Sequence, residues 1–414
     1  MKKILYDHSG AWKFYHDKNQ GILFTEPKQR QPMVLFDKGK KDFDVCCDEN
    51  GNITLICQDE KNGIYIFYYN RKSWNKQCIL ESKNDVSYPK NFRLENVNGW
   101  MNCFYVLKHN GKSLLIHHIL NNEKEPEVLD SLTCEELPFF VTQDSKNNLY
   151  CFYDKSGVGY RRYVWSEKRW EPFRVMHQLD REVVSVSGMI DLEDRIHLVV
   201  CAGEEKKYSV CYLNKQGVQE IISDGFQNLE PVILWDGQLH ILFDFGGRIL
   251  QSVSIDGGES FLKAKYFFPG SFARQEKAKI VSARPFAPLE IVVNETYGYE
   301  TPTGTFEIAI VGEKLKKLMF TTLSKPTEVA PEIESYAGIK EDQKEQLSET
   351  QRMQQELDRI IKQLEENNEL KMLFQLAKRL DKLESQIISM EERMALTQQG
   401  QQEDGPQPSE SPND

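Results

Sequence analysis

The octapeptide SIDGGESF, from Ser254 to Phe261, combines a hydroxyl group, a carboxylate and two adjacent glycines. The oxygens of Ser254 and Asp256 could bind a ligand, or they could hold the backbone of a tight turn. Gly258 permits a positive φ in such a turn, and Phe261 is placed to pack against the hairpin. We interpret the segment as a structural staple of a β-hairpin, with ligand binding as the alternative.

The other residue types that commonly do chemistry are scattered along the chain. The nine cysteines include no Cys-x-x-Cys pair, and most lie in apolar, strand-like segments where a thiol packs as a small hydrophobe. The adjacent His117 and His118 would point to opposite faces of a strand, so they cannot chelate together. His197 and His240 hold equivalent positions in two strand-like segments, which indicates a structural role. We therefore predict no metal site, no cofactor and no catalytic residue.

One segment, YRRYVWSEKRWEPFR from Tyr160 to Arg174, interleaves basic and aromatic residues as strips that bind single-stranded nucleic acid do. Successive residues of a strand point to opposite faces, however, so arginine stems can pack over aromatic rings on an ordinary surface. The whole chain has 52 Lys and Arg residues against 63 Asp and Glu, a net charge of -11. We expect no nucleic-acid partner, because such binding needs clustered positive charge.

The sequence also bears on location. It begins MKKILYDHSGAWK, where the apolar run has only three residues. A secretory signal needs roughly 7–15 apolar residues at this place. No stretch approaches the roughly 18 apolar residues of a membrane helix. We therefore expect a cytoplasmic protein without a membrane partner.

A short pattern recurs seven times in the first 320 residues: a turn residue, then largely apolar residues without proline. The copies are GAWKFYHD, GNITLICQD, GWMNCFYV, NNLYCFYD, DRIHLVVC, GQLHILFD and PLEIVVNE, and their starts are 41 to 51 residues apart. Each copy resembles a β-strand, and most are flanked by three further strand-like segments. Four-stranded units that repeat about every 40–50 residues are typical of a β-propeller.

The sequence therefore predicts an all-β propeller of seven four-stranded blades over residues 1–320. The alternative is six blades with a shared closing blade, because the first unit has four strands only if ILYD counts as one.

In this framework Ser254 to Phe261 joins the third and fourth strands of one unit. The segment resembles the Asp-box of BNR-type, sialidase-like propellers, Ser/Thr-x-Asp-x-Gly-x-x-Trp, with Phe261 in place of the Trp. The resemblance implies that Ser254, Asp256 and Gly258 hold a hairpin turn at the outer rim, away from any ligand pocket. Sialidase-like enzymes also carry an early Phe/Tyr-Arg-Ile-Pro motif, and the sequence lacks it.

The composition changes after Phe320. Residues 321–342 contain two prolines and are interpreted as a linker. Residues 343–398 lack proline and glycine and carry apolar residues at alternating spacings of three and four, the a/d pattern of a coiled-coil helix. The predicted seam consists of Leu357, Ile360, Leu364, Leu373, Leu376, Leu380, Leu383 and Ile387. Residues 399–414 are acidic and poor in apolar residues, which predicts a disordered tail.

The seam leaves three arrangements open. Its two halves are nine residues apart, from Leu364 to Leu373, which is not a whole heptad. The helix either continues with a shift of the seam, which we favour, or breaks into an antiparallel hairpin. The apolar stripe could also fold back onto the propeller instead of binding another copy of the chain.

A ring of blades followed by an apolar helix seam predicts a non-enzymatic binding or scaffold protein. One face of the propeller would bind a protein partner, and the coiled coil would join several copies so that weak contacts gain avidity. The alternative is a carbohydrate-binding or glycoside-cleaving Asp-box propeller, with a glycan as the partner.

Overall fold

In a computed structural model of the chain, the described residues are 1–308 except 8, 28, 30, 82–86, 121–124, 135, 267–274, 283–290 and 301–305. They belong to one unit of the chain, Met1–Pro326. All regular elements in this part of the chain are β-strands. The described residues accordingly include no helix long and apolar enough to cross a membrane.

Six antiparallel units, the blades of a propeller, account for the first 25 strands in the described residues: five blades have four strands, and one has five because its outer edge is divided. Blade 1 contains β1 (Lys2–Asp7), β2 (Gly10–Asp17), β3 (Gly21–Thr25) and β4 (Met33–Phe36). Blade 2 contains β5 (Gly39–Cys47), β6 (Ile53–Asp59), β7 (Ile64–Tyr69) and β8 (Trp74–Leu80). Blade 3 contains β9 (Arg93–Val97), β10 (Trp100–His109), β11 (Lys112–Ile119) and β12 (Glu127–Leu132).

The remaining three blades repeat this order. Blade 4 contains β13 (Phe139–Gln143), β14 (Leu149–Asp154), β15 (Val158–Val164) and an outer edge made of β16 (Arg169–Trp170) and β17 (Arg174–His177). Blade 5 contains β18 (Val183–Ile190), β19 (Ile196–Glu204), β20 (Lys207–Leu213) and β21 (Val218–Gly225). Blade 6 contains β22 (Val232–Trp235), β23 (Leu239–Phe245), β24 (Arg248–Ser254) and β25 (Lys265–Tyr266).

The sequence repeat marks the second strand of each blade. Six of the seven copies form β2, β6, β10, β14, β19 and β23. The residue that opens each of these copies has a positive φ, at Gly10, Gly51, Gly99, Asn147, Asp194 and Gly237. This left-handed conformation suits Gly, and Asn and Asp tolerate it better than other residues do. The repeat is visible in the sequence because the turn into each second strand requires such a residue.

The hydrophobic core lies between neighbouring blades. Between blades 3 and 4, Phe104 and Leu115 pack in one cluster with Val141 and Tyr153, and all four side chains are buried. Similar clusters lie between the other blades. Burying one large apolar side chain stabilises a fold by about 1.5–3 kcal/mol. These clusters therefore fix each blade against the next and leave the polar residues of the first strands near the axis.

The last strands form an axial segment instead of a seventh blade. It contains β26 (Glu276–Ser282), β27 (Val292–Val293), β28 (Glu295–Glu300) and β29 (Phe306–Ile308). β26 pairs in parallel with β1 of blade 1, and β27 pairs with β22 of blade 6. Lys279 and Asn294 bind atoms on the first strands of the other four blades, at Asp44, Leu94, Thr142 and Gly188. The segment thus contacts the first strand of every blade and lies on the propeller axis.

The prediction of seven blades is wrong, and six are present in the described residues. The seventh copy of the repeat supplies β27 and the start of β28, and the strand-like segment before it contributes to β26. The segment ILYD does lie in β1, so blade 1 has all four strands. A strand pattern indicates that a strand forms but not which strand it pairs with, and this is why the copies outnumber the blades.

The predicted linker (321–342), coiled-coil helix (343–398) and acidic tail (399–414) lie outside the described residues and stay predictions. The same holds for all eight seam residues, from Leu357 to Ile387.

Candidate functional site

The strands around the axis carry charged residues toward it. On β9, Arg93 and Glu95 are two residues apart, and Lys277 and Lys279 have the same spacing on β26. Alternate residues of a strand point to the same face, so both members of each pair share the axial side. We call the following residues the axial charge cluster: Lys3, Asp44, Arg93, Glu95, Lys277, Lys279 and Glu295.

Asp44 is the centre of one half of the cluster and is completely buried. Its carboxylate lies 2.6 Å from Lys279 Nζ and 3.0 Å from Lys3 Nζ, and it accepts the N–H of Leu94 at 2.7 Å. Burial alone raises the pKa of Asp44, but the charges of Lys279 and Lys3 outweigh it and hold the pKa at about 2. Burial lowers the pKa of Lys3 to about 8 despite the attraction of Asp44.

Glu295 is the centre of the other half. Arg93 Nη1 lies 2.8 Å from its Oε1, and Lys277 Nζ lies 2.9 Å from its Oε2. Burial opposes ionisation here too, but the two cations hold the pKa of Glu295 well below its usual range. Both oxygens of this carboxylate therefore stay charged and engaged at neutral pH.

Glu95 has a different environment from the other two carboxyl groups. Its nearest cation is Lys279, with 3.8 Å between Oε1 and Nζ, and its side chain is 21% exposed. Burial raises the pKa of Glu95 to about 7, because the attraction of Lys279 is too weak to offset it. Near neutral pH this carboxyl group is therefore present in both protonation states, and it can donate or accept a hydrogen bond.

Glu95 lies at a cavity of about 410 Å³ at the end of the axis where the first strands turn into the second strands. We call it the turn-side cavity. Its polar lining includes Asp48, Glu95, Asn96, Gln143, Lys279 and Asn294. Within the described part of the chain, no aromatic residue lines it. The cavity therefore offers hydrogen bonds and charge instead of an aromatic stacking surface.

Several of the lining residues are held in place by the turns. Asp48 accepts hydrogen bonds from Asn52 N at 2.8 Å and from Asn52 Nδ2 at 2.7 Å, one on each carboxylate oxygen. Asn96 donates to Cys47 O at 3.1 Å and accepts from Gly99 N at 3.0 Å. Gln143 is exposed, and its side chain makes no hydrogen bond to the described residues. Gln143 and Glu95 thus have hydrogen-bonding capacity to spare, as does the exposed Glu49 at the edge of the lining.

Two cysteines also line this cavity, Cys46 and Cys47. Burial raises the pKa of Cys46 to about 12, and that of Cys47 rises for the same reason. Both thiols therefore stay protonated at neutral pH, as expected for cysteines that pack as hydrophobes.

The predicted structural histidines are buried beside other turns. His197 Nε2 lies 3.0 Å from Asp191 Oδ2, and His240 Nε2 lies 2.7 Å from Asp236 Oδ1. Each of these aspartates lies at the turn between the first and second strands of its own blade. Within the described residues no group of three His, Cys, Asp or Glu side chains is placed to hold a metal ion.

The segment from Ser254 to Phe261 joins β24 to β25, the third and fourth strands of blade 6. Ser254 Oγ accepts the N–H of Gly258 at 2.8 Å and donates to Asp256 Oδ1 at 2.7 Å. The ring of Phe261 packs on Tyr212 of blade 5, with 4.7 Å between centroids. None of these four predicted residues lines the turn-side cavity. The side chains hold their own turn, while membership of the Asp-box family stays a prediction.

Sequence reasoning did not find the axial charge cluster. Its members are far apart in the chain, and Lys279 and Asp44, which are in contact, are separated by 235 residues. One signal was available: charged residues two positions apart, as in Arg93 and Glu95, within strands that are otherwise apolar. Such charges cannot face a hydrophobic core unpaired, so they indicate a shared polar interior.

Comparisons with known proteins agree with the fold. No family model matches the chain, and no curated protein matches its sequence. A polysaccharide lyase structure, the PL25 ulvan lyase, is similar with 9% identity, a TM-score of 0.50, and coverage of 74% of this chain and 90% of that one. A fucose-specific lectin from Aleuria aurantia has 12% identity and a TM-score of 0.41, covering 64% of this chain and 94% of the lectin. At 9% identity the likeness to the lyase shows the fold alone.

Proposed function

We propose that the chain is a binding protein and that its turn-side cavity holds a small, hydroxyl-rich ligand of the sugar or polyol class. The observation that carries this proposal is a polar cavity on the propeller axis that contains Glu95, Gln143 and Lys279. A hydroxyl group both donates and accepts, so it matches a half-ionised carboxyl group beside an amide and an ammonium. The cavity volume of about 410 Å³ lies in the range of small-molecule sites, roughly 300–1,000 Å³.

Binding fits this geometry better than cleavage of a glycoside. Glycoside hydrolysis usually needs two carboxyl groups, one as acid and one as base or nucleophile. Glu95 has the raised pKa of an acid, but both oxygens of Asp48 are engaged by Asn52. Glu49 also lines the cavity but is exposed. The similar lyase is named for a polysaccharide. We propose the same class of ligand for this chain, but not the same reaction.

The test is saturation-transfer NMR of the full-length protein against neutral hexoses, deoxyhexoses, amino sugars and polyols. We expect one class to bind, with affinity about 10- to 100-fold lower in Gln143→Ala and Glu95→Ala, because a lost hydrogen bond costs roughly 1–3 kcal/mol. Gln238→Ala removes an exposed amide from the turn between β22 and β23 and should bind normally. Absence of binding across the panel, or variants that bind like the wild type, would refute the proposal.

We also propose that the predicted coiled coil joins several copies of the chain. The spacing of the seam residues from Leu357 to Ile387 supports it. Several cavities on one assembly would turn weak single contacts into avid binding to a repetitive glycan. A protein partner for the propeller face is the competing scaffold proposal. Affinity capture from a native lysate with the full-length chain tests it, and retention of a specific protein that free sugar does not displace would favour it.

A further inference from the structure

A second cavity, of about 380 Å³, lies at the opposite end of the axis, where the first strands begin. We call it the start-side cavity. Three cations of the axial charge cluster, Lys3, Arg93 and Lys277, line it. The turn-side cavity shares none of these residues. The two cavities are therefore separate in position, and they differ in charge: the axial cluster gives Glu95 and Lys279 to the turn-side cavity and only cations to the start-side cavity.

The cations of this cavity have donors left over. Arg93 uses one nitrogen, Nη1, on Glu295, and Lys277 binds the other oxygen of the same carboxylate. A guanidinium group has five N–H donors and an ammonium has three. Glu295 is completely buried, whereas the side chains of Arg93 and Lys277 keep 15% and 13% of their surface exposed. The cations therefore remain accessible at the cavity while their carboxylate does not.

The side chain of Arg93 is held in position before any anion binds. Its guanidinium lies over the ring of Phe140 at 5.5 Å, in addition to its ion pair with Glu295. A guanidinium held on two sides loses little conformational entropy when it binds an anion, and its planar donors match two oxygens of a carboxylate or phosphate.

The acidic side chains that line this cavity are fewer than the basic ones, three against four. Asp42 keeps its negative charge, but backbone N–H groups of Lys90, Asn91 and Phe92 already occupy its oxygens. Glu136 and Glu230 are exposed, where water and salt screen their charges. Lys41, also exposed, adds a further cation.

We propose that the start-side cavity binds an oxyanion, the carboxylate or phosphate group of a small molecule, between Arg93 and Lys277. The anion accepts hydrogen bonds from the N–H groups of Arg93 and Lys277 that do not bind Glu295. Its negative charge balances the second of two positive charges that share one carboxylate. This site is independent of the sugar site proposed at the other end of the axis, so either can fail without the other.

Isothermal titration calorimetry of the full-length protein tests the proposal, with inorganic phosphate and acetate as separate probes in chloride buffers of matched ionic strength. We expect saturable binding of at least one probe, and the stronger one identifies the preferred group. Lys277→Met should weaken it at least tenfold. Lys263→Met removes an exposed lysine on blade 6 that does not line the cavity, and it should change nothing.

Glu295→Gln should change the affinity in the opposite direction. A gain of affinity cannot come from unfolding, whereas a loss in Lys277→Met could. Glu295→Gln removes the buried competitor for Arg93 and Lys277, so oxyanion affinity should rise at least tenfold, and added phosphate should raise the Tm of this variant more than that of the wild type. Absence of saturable binding of both probes overturns the proposal. So does equal affinity in the wild type, Lys277→Met and Glu295→Gln.

Discussion

Burial raises the pKa of each carboxyl group on the axis, and the distance to the nearest cations decides how much of that rise is offset. Asp44 is completely buried yet has a pKa of about 2, because two lysines contact it directly. Glu95 is 21% exposed yet has a pKa of about 7, because burial raises it and the nearest cation, 3.8 Å away, offsets too little of that rise. The less buried group is thus the harder one to ionise. This contrast makes Glu95 the residue whose charge changes near neutral pH.

The raised pKa of Glu95 predicts a pH dependence of stability. In the unfolded chain this carboxyl group ionises near 4.5, and in the folded protein burial raises its pKa to about 7. Between these values the folded state holds a proton that the unfolded state has released, so the free energy of unfolding falls as the pH rises. Glu95→Gln removes this loss. From pH 5 to pH 8, the wild type should lose about 2–3 kcal/mol more than the variant.

Urea denaturation of both proteins at the two pH values measures this difference. Glu60→Gln removes an exposed glutamate of blade 2 and should follow the wild type at both values. If the free energy of unfolding changed by the same amount between pH 5 and pH 8 in the wild type and in Glu95→Gln, the pKa of Glu95 would not be raised by folding.

Two turns of blade 6 each contain a glycine with a positive φ, but only one of these glycines is packed closely against another residue. Substituting them therefore measures backbone strain and packing separately. Gly237, between β22 and β23, and Gly258, between β24 and β25, have φ values of 100° and 96°. A Cβ at Gly237 would meet nothing within 4 Å, whereas one at Gly258 would lie 2.1 Å from Tyr212 Oη. Tyr212 is fully buried and bonded to His197 at 2.7 Å, so it cannot move aside easily.

We expect Gly237→Ala to lower the free energy of unfolding by about 1–2 kcal/mol, the cost of a left-handed residue with a Cβ. Gly258→Ala should lower it by about 1–3 kcal/mol more, because it also overpacks the contact with Tyr212. Urea denaturation of the two variants gives both values. Equal losses would show that the hairpin is not packed tightly against blade 5.

The strands were predictable from the sequence, whereas their pairing was not. Every copy of the repeat from Gly10 to Gly237 begins with a residue that tolerates positive φ and continues as a strand, and the structure confirms six of these as second strands. The copy at Pro288 has the same local pattern, but β26, which precedes it, pairs in parallel with β1. Local pattern decides whether a strand forms, while long-range pairing depends on which edges the rest of the chain leaves open.

For the whole molecule, the axial segment explains why the candidate site could not be found in the sequence. Lys3, Asp44, Arg93 and Glu295 come from blades 1, 2 and 3 and from β28, and they meet because six inner strands surround one axis. Each residue alone is an ordinary charge beside apolar neighbours. The ring of blades creates both the buried cluster and the two cavities at its ends. The site can therefore be located only once the arrangement of the blades is known.

The predicted seam implies that the full chain self-associates. Leu380→Asp combined with Leu383→Asp places two charges in the predicted seam, where burial without a partner is costly. We expect sedimentation equilibrium to show an oligomer for the wild type and a monomer for this double variant. Gln375→Asp with Ser385→Asp adds the same charge beside the seam and should leave the oligomer intact. A monomeric wild type at roughly 100 μM would refute the coiled-coil proposal, and an oligomer that survives the seam variant would place the interface elsewhere.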